Sequence, residues 1–233
     1  MNRQAVNPYL PSWEYIPDGE PHVFNGRVYV YGSHDRFNAP IFCVNDYVCW
    51  SAPVEDLSEW RYEGVIYRKK QDPKNPLGYH LLFAPDVCQG PDGRYYLYYA
   101  FDFLGIMSVA VCDTPAGEYK FLGHIHYADG TLWGRRRGDQ LPFDPGVLLD
   151  DDGRVWLYSG FYNAVPAILT GGHKLRCDGG TVLELEKDMV TIKTEPRVIF
   201  PKKGPGAFQG HEFFEASSIR KEGKTYIFVY SSR

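Results

Sequence analysis

The stretch Asp92-Gly93-Arg94-Tyr95-Tyr96-Leu97-Tyr98 reads as a tight turn feeding a strand. The polar-Gly pair supplies the positive-φ residue of a hairpin turn. The aromatic and branched residues behind it suit a pleated surface. The same phrase recurs at Asn25-Gly26-Arg27-Val28-Tyr29-Val30-Tyr31, at Asp152-Gly153-Arg154-Val155-Trp156-Leu157-Tyr158 and at Glu222-Gly223-Lys224-Thr225-Tyr226-Ile227-Phe228. The four glycines stand 67, 60 and 70 residues apart, from 26 to 93, 93 to 153 and 153 to 223.

Another short apolar run precedes each glycine, so every unit opens with a hairpin. His22-Val23-Phe24, Ala84-Pro85-Asp86-Val87, Pro145-Gly146-Val147-Leu148-Leu149 and Ala216-Ser217-Ser218-Ile219 play this part. Further strands follow, such as Tyr47-Val48-Cys49-Trp50 and Met107-Ser108-Val109-Ala110-Val111. Turn-and-strand tails close the units at Asp56-Leu57-Ser58-Glu59-Trp60, Thr114-Pro115-Ala116-Gly117-Glu118-Tyr119 and Leu185-Glu186-Lys187-Asp188-Met189. The unit is thus four antiparallel strands in roughly 65 residues, which fits a propeller blade. A β-sandwich also has evenly spaced strands; the repeated Gly-basic-aromatic signature favours the propeller. No long i, i+3, i+4 stripe indicates a helix.

The composition agrees. Of 233 residues, 44% are apolar and 23% charged, as in a globular domain, and 16% are aromatic, which favours strands and suits stacking on sugars. A net charge of −4 provides no basic field for nucleic acid. The run Arg135-Arg136-Arg137 reads as a solvated or substrate-flanking loop. Residues 1–17 lack a basic and then apolar leader, and no run of apolar residues is long enough to span a membrane. The cysteines Cys43, Cys49, Cys88, Cys112 and Cys177 are odd in number and contain no CxxC pair, which favours buried reduced thiols over a zinc site. These features lead us to expect a cytoplasmic protein with neither nucleic-acid nor membrane partners.

An acid precedes each hairpin glycine at nearly constant distance. Asp18 lies 8 residues before Gly26, Asp86 lies 7 before Gly93, Asp144 lies 9 before Gly153 and Glu215 lies 8 before Gly223. The first strand of a blade lines the central channel, so the spacing predicts a ring of carboxylates at one channel mouth. Crowded carboxylates raise at least one pKa. That lets one group act as base while another keeps a proton as acid, with room for a water in an inverting reaction. Turn caps and arginine partners are the structural alternative for each acid taken singly. A metal-binding ring is another reading, although hard-cation sites usually draw carboxylates closer in sequence.

These segments resemble glycoside hydrolase family 43, the five-bladed propellers that include α-L-arabinofuranosidases, β-xylosidases and arabinanases. Ile16-Pro17-Asp18-Gly19-Glu20-Pro21-His22-Val23-Phe24 is similar to the family's first-blade segment, with Gly19 where Pro is usual. Phe83-Ala84-Pro85-Asp86-Val87, Phe143-Asp144-Pro145-Gly146-Val147 and Phe214-Glu215-Ala216-Ser217 are similar to the segments of the next three blades. The resemblance implies Asp18 as general base, Asp144 as the group that tunes and orients, Glu215 as general acid and Asp86 in support. Glu20 shares a strand face with Asp18 and stays a rival for the base, as Glu212 does for the acid. It also implies an all-β, five-bladed β-propeller fold, of which residues 1–233 hold about three and a half blades of four antiparallel strands in a single domain. A closed ring would need on the order of 80–100 more residues.

The implied substrate is an oligosaccharide or aryl glycoside containing arabinose or xylose. The resemblance implies no required cofactor and allows a structural Ca2+ in the channel of the complete fold. The alternative function is a non-catalytic carbohydrate-binding propeller or an inactive fragment. His22, His34 in His34-Asp35-Arg36, and Phe103 are further substrate-binding candidates. His211 is a candidate to orient the acid loop. Trp133 is a second candidate sugar platform beside Phe103, while Trp13, Trp60 and Trp156 read as core.

Overall fold

The computed structural model describes residues 7–233. Its strands form antiparallel sheets in chain order. The first blade is β1 (Glu20–Phe24), β2 (Arg27–Tyr31), β3 (Tyr47–Pro53) and β4 (Arg61–Tyr67). The second is β5 (Asp86–Gln89), β6 (Tyr95–Ala100), β7 (Met107–Cys112) and β8 (Lys120–His124). The third is β9 (Gly146–Leu149), β10 (Val155–Phe161), β11 (Gly179–Leu185) and β12 (Arg197–Pro201). The fourth sheet holds two strands, β13 (Phe213–Glu222) and β14 (Thr225–Ser232). The inner strands β1, β5, β9 and β13 neighbour one another in turn, as blades around a channel do. The expected propeller of about three and a half blades is therefore the observed fold.

Each hairpin turns where expected. Gly26, Gly93, Gly153 and Gly223 have φ of 75°, 83°, 79° and 58°, values that a side chain would resist. Behind the turns of the first three blades the second strand is largely buried, whereas β14 is mostly exposed. Along β6 the alternation divides the side chains between two cores. Tyr95, Leu97 and Tyr99 pack toward blade one with Tyr31, Tyr47 and Tyr67. Tyr96 and Tyr98 pack toward blade three with Val147, Leu157 and Leu183. A strand sandwiched this way reads as a continuous apolar run, which is why the repeat was visible in sequence. Each fully buried side chain of this size contributes about 1.5–3 kcal/mol.

Two tryptophans sit otherwise than expected. Trp133 is fully buried in the core between blades two and three, its amide bonded to the Ile125 carbonyl, so it is no sugar platform. Trp13 is 66% exposed, because the segment before β1 lies on the outer side of blade one, where this ring meets Trp50. Arg135 is not a solvated loop residue either. Its guanidinium donates to the carbonyls of Leu104, Gly105 and Gly134, bracing the turn that carries Phe103. The five cysteines are all free, and four of them are buried. No helix among the described residues is long and apolar enough to cross a membrane.

Blade four is fastened to blade three through Asp150, which follows β9. Its carboxylate accepts Lys221 Nζ and, at 2.6 Å, the Tyr226 hydroxyl. These bonds hold the Asp150 pKa down to about 2. A depressed carboxylate pKa stabilises the fold above the unfolded value near 4, and the contribution disappears as pH falls toward 2. Hydrogen bonds to a charged group contribute about 1.5–3 kcal/mol. Asp150→Asn is therefore expected to lower Tm by about 4–8 °C near neutral pH. The gap to the wild type should close as the pH of the melts is lowered toward about 2.

Candidate active site

The segments entering β1 and β9 and the first residues of β13 bring Asp18, Asp144 and Glu215 to one cavity of about 310 Å³. Its walls are aromatic: Phe42, Phe83, Phe103, Phe143 and Phe161, with Phe103 stacked on Phe143 at 5.5 Å and 3°. Asp35 and Cys43 complete the polar lining. The backbone is strained at this mouth. Asp18 has φ 55°, Asp144 has φ 47° and Ala216, next to Glu215, has φ 62°. Left-handed non-glycine residues cost of order 1–3 kcal/mol each and cluster where side-chain aim matters. Three blades thus spend the same kind of strain to point an acid at the same space.

Hydrogen bonds hold two of the acids. Ser33 Oγ donates to Asp18 Oδ2 at 2.9 Å, and the Ala216 amide donates to Asp144 Oδ2 at 3.1 Å. The latter contact ties Asp144 to the residue beside Glu215. Burial pushes the Asp144 pKa well up, and the charges of Glu215 and Asp18 push it further. Glu215 is raised as well, by burial and then by Asp18. Like charges in an apolar-walled cavity resist ionising together, so the trio retains protons beyond the ordinary carboxylate range. Burial pushes the Cys43 thiol up to about 12, which leaves it protonated and a poor nucleophile.

Asp86 is not part of this ring. Glu20 pairs with Tyr31, Asp86 with Tyr98 and Gly146 with Tyr158. Those three tyrosines each stand five residues past their hairpin glycine, at 26 to 31, 93 to 98 and 153 to 158. Asp86 is therefore the equivalent of Glu20, one layer deeper in the channel. The position matching Asp18 and Asp144 in blade two is Ala84, two residues before its strand, and Ala84 does line the cavity. Counting to the glycine concealed this, because the β5–β6 and β9–β10 hairpins are each longer by one residue than the β1–β2 hairpin.

The deeper layer is an ion-pair network. Arg220 donates to Glu20 and to the Pro21 carbonyl, and Ser218 donates to Glu20 at 2.6 Å. His22 Nε2 bonds Asp86 Oδ1 at 2.5 Å, and Asp86 also accepts the amides of Val87 and Val147. Glu20, His22 and Asp86 bring one donor atom each within 4.8 Å of one another. Calcium takes six to eight oxygens. Here two carboxylates are already engaged, the third donor is nitrogen, and the Arg220 guanidinium is paired with Glu20. This donor set does not fit Ca2+.

The other candidates are placed as follows. Phe103 lines the cavity, while His22 and Asp86 lie below it. His34 does not line it, since both ring nitrogens are taken, by the Asp46 carbonyl at 2.8 Å and by Glu14 at 2.9 Å. Glu212 accepts the Gly210 amide outside the cavity, and the His211 carbonyl accepts the Tyr230 hydroxyl. Ser33, Phe42 and Cys43 were missed, because a loop between two strands of one blade carries no periodicity to flag them. A larger cavity of about 440 Å³ lies among the inner strands near the hairpin turns. Its Arg220, Lys221 and His22 are already paired with acids.

Acids delivered by three blades to an aromatic-walled pocket at a channel mouth define an acid-centred β-propeller. The chain belongs to the glycosyl hydrolases family 43, whose sequence profile matches residues 17–233. It is 61% identical over 236 residues to the xylosidase/arabinosidase of Thermoclostridium stercorarium, covering 100% of this chain and 48% of that protein. The chain thus spans about half the length of that relative. It is 31% identical over 252 residues to xylosidase/arabinosidase 43A of Humicola insolens, covering 94% of this chain and 72% of that one. Among solved structures, a family 43 β-xylosidase/α-arabinofuranosidase from a compost metagenome, in complex with xylotriose and calcium-free, superposes with TM-score 0.71. That match has 26% identity and covers 98% of this chain and 73% of the other. An α-L-arabinofuranosidase from Clostridium thermocellum gives TM-score 0.64 at 26% identity, with 92% and 64% covered.

Proposed function

We propose that this chain is a glycoside hydrolase that cleaves O-glycosidic bonds in xylose- or arabinose-containing glycans by an inverting acid/base reaction. The observation that carries this reading is the gathering of Asp18, Asp144 and Glu215 from three blades around one cavity. Asp18, fixed by Ser33, is the base that takes a proton from the attacking water. Glu215, raised by burial and by Asp18, keeps its proton and delivers it to the leaving oxygen. Asp144 orients the Glu215 loop through the Ala216 amide and adds to the field that sets the proton affinity of the cluster. The phenylalanine walls exclude water and offer apolar faces to the sugar ring. The named relatives, described as acting on xylosides and arabinosides, support the pentose assignment.

The test is hydrolysis of 4-nitrophenyl β-D-xyloside, 4-nitrophenyl α-L-arabinofuranoside and the matching oligosaccharides by the folded chain. Turnover with inversion, followed by NMR of the first-formed anomer, is the expected result. No turnover of any of them overturns the reading, and retention overturns the mechanism.

A further inference from the structure

Asp35 is the fourth carboxylate of the cavity, and the acid/base chemistry has no use for it. It follows β2 and lines the same space as Asp18, Asp144 and Glu215. Its backbone is pinned on both sides: the amide donates to the Tyr15 carbonyl at 3.0 Å and the carbonyl accepts Asn45 Nδ2 at 2.7 Å. Oδ1 accepts the Cys43 amide at 2.5 Å, which fixes the carboxylate plane. Cys43 itself is left-handed, with φ 56°. Among the described residues no cation pairs with Asp35, and Oδ2 has no hydrogen-bond partner. A rigid, half-buried carboxylate with a free oxygen facing a pocket is a prepared acceptor.

The upward push on Asp144 comes from burial, Glu215 and Asp18, and that on Glu215 from burial and Asp18. Apart from the other acids the walls are phenylalanines, Pro17, Ala84 and a protonated thiol, so few other side chains in the pocket can accept from a sugar hydroxyl. Groups that exchange protons during turnover are poor anchors, and the proposed acid/base reaction assigns no proton transfer to Asp35.

Building on the glycosidase reading, we propose that Asp35 binds the sugar held in this pocket by accepting hydrogen bonds from its ring hydroxyls, and so selects a hydroxylated pentose. Asp35 makes a charge-assisted contact, and a site built to bond a hydroxyl discriminates strongly against a sugar that lacks it.

The experiment is calorimetric titration of the wild type and Asp35→Asn with methyl β-D-xyloside, methyl α-L-arabinofuranoside and their monodeoxy analogues. Asn retains an oxygen for the Cys43 amide. The variant is expected to bind the parent sugar about 10- to 100-fold more weakly. For the monodeoxy analogue missing the contacted hydroxyl, wild type and variant should bind alike. Asp35→Glu, which keeps the charge, is titrated the same way in case Asp35→Asn melts early. Equal affinity of wild type and variant for both parent sugars overturns the inference, as does equal weakening across every analogue, which marks a purely structural role. A wild type that binds neither parent overturns it too. Binding that depends on Asp35 without turnover would sink the glycosidase reading alone, and turnover with no Asp35 dependence would sink this inference alone.

Discussion

Glu215→Gln is expected to lower kcat by about 10²–10⁴-fold on xylo- or arabino-oligosaccharides, and by far less on aryl glycosides with an acidic phenol. A sugar alkoxide cannot depart without a proton, whereas an activated phenolate can. The amide is close to isosteric and removes only the transferable proton. Glu215 makes no ion pair among the described residues, so the fold should survive, with Tm near the wild type. The measurement is kcat on both substrate types. An equal loss on both would remove Glu215 from the acid role and return attention to Asp144, whose proton is held more firmly still.

Asp18→Asn is expected to lower kcat by a similar factor of about 10²–10⁴, on all substrates alike, because water must be activated whatever the leaving group. Its second effect is on pH. The charge of Asp18 raises the pKa of Glu215 and of Asp144. An acid must be protonated to work, so the Glu215 pKa sets the alkaline limb of the rate profile. Removing the negative charge lowers that pKa and moves the alkaline limb of the residual activity to lower pH. Stability should move the other way. A carboxyl whose folded pKa is raised destabilises the fold as pH climbs from its unfolded value toward the folded one. Relieving the repulsion on Asp144 should therefore raise Tm near neutral pH while activity falls, a trade-off common at active sites. Melts and pH–rate profiles on the same variant check both. A limb that does not move would separate Asp18 from Glu215 electrostatically and undo the assignment.

Much of this was readable one residue at a time. The Gly-basic-aromatic phrase marks all four hairpins because a positive-φ turn and a two-residue side-chain period are local requirements. The acids that share the cavity were also visible, since each stands just before an inner strand or near its start. Other features were not. Asp86 looked equivalent to Asp18 by its count to the glycine, yet ladder register puts it beside Glu20, one layer down. His34 looked like a pocket residue and is consumed by Glu14 and Asp46, which are distant in sequence. Trp133 looked like a platform on a loop and is buried between two blades. Asp35 was noticed only as part of a mixed loop, and its free oxygen depends on where the Cys43 amide falls.

The sequence by itself determined the blades and the identity of the acids, because hairpin turns and buried alternating strands are written in residues close together in the chain. Only the tertiary structure decided the depth of each acid along the channel and which of them face one another. Depth depends on where pairing starts in each hairpin, and one extra turn residue shifts it without altering any local pattern. The proton affinities followed from the same decision, since desolvation and repulsion act through space between blades and not along the chain.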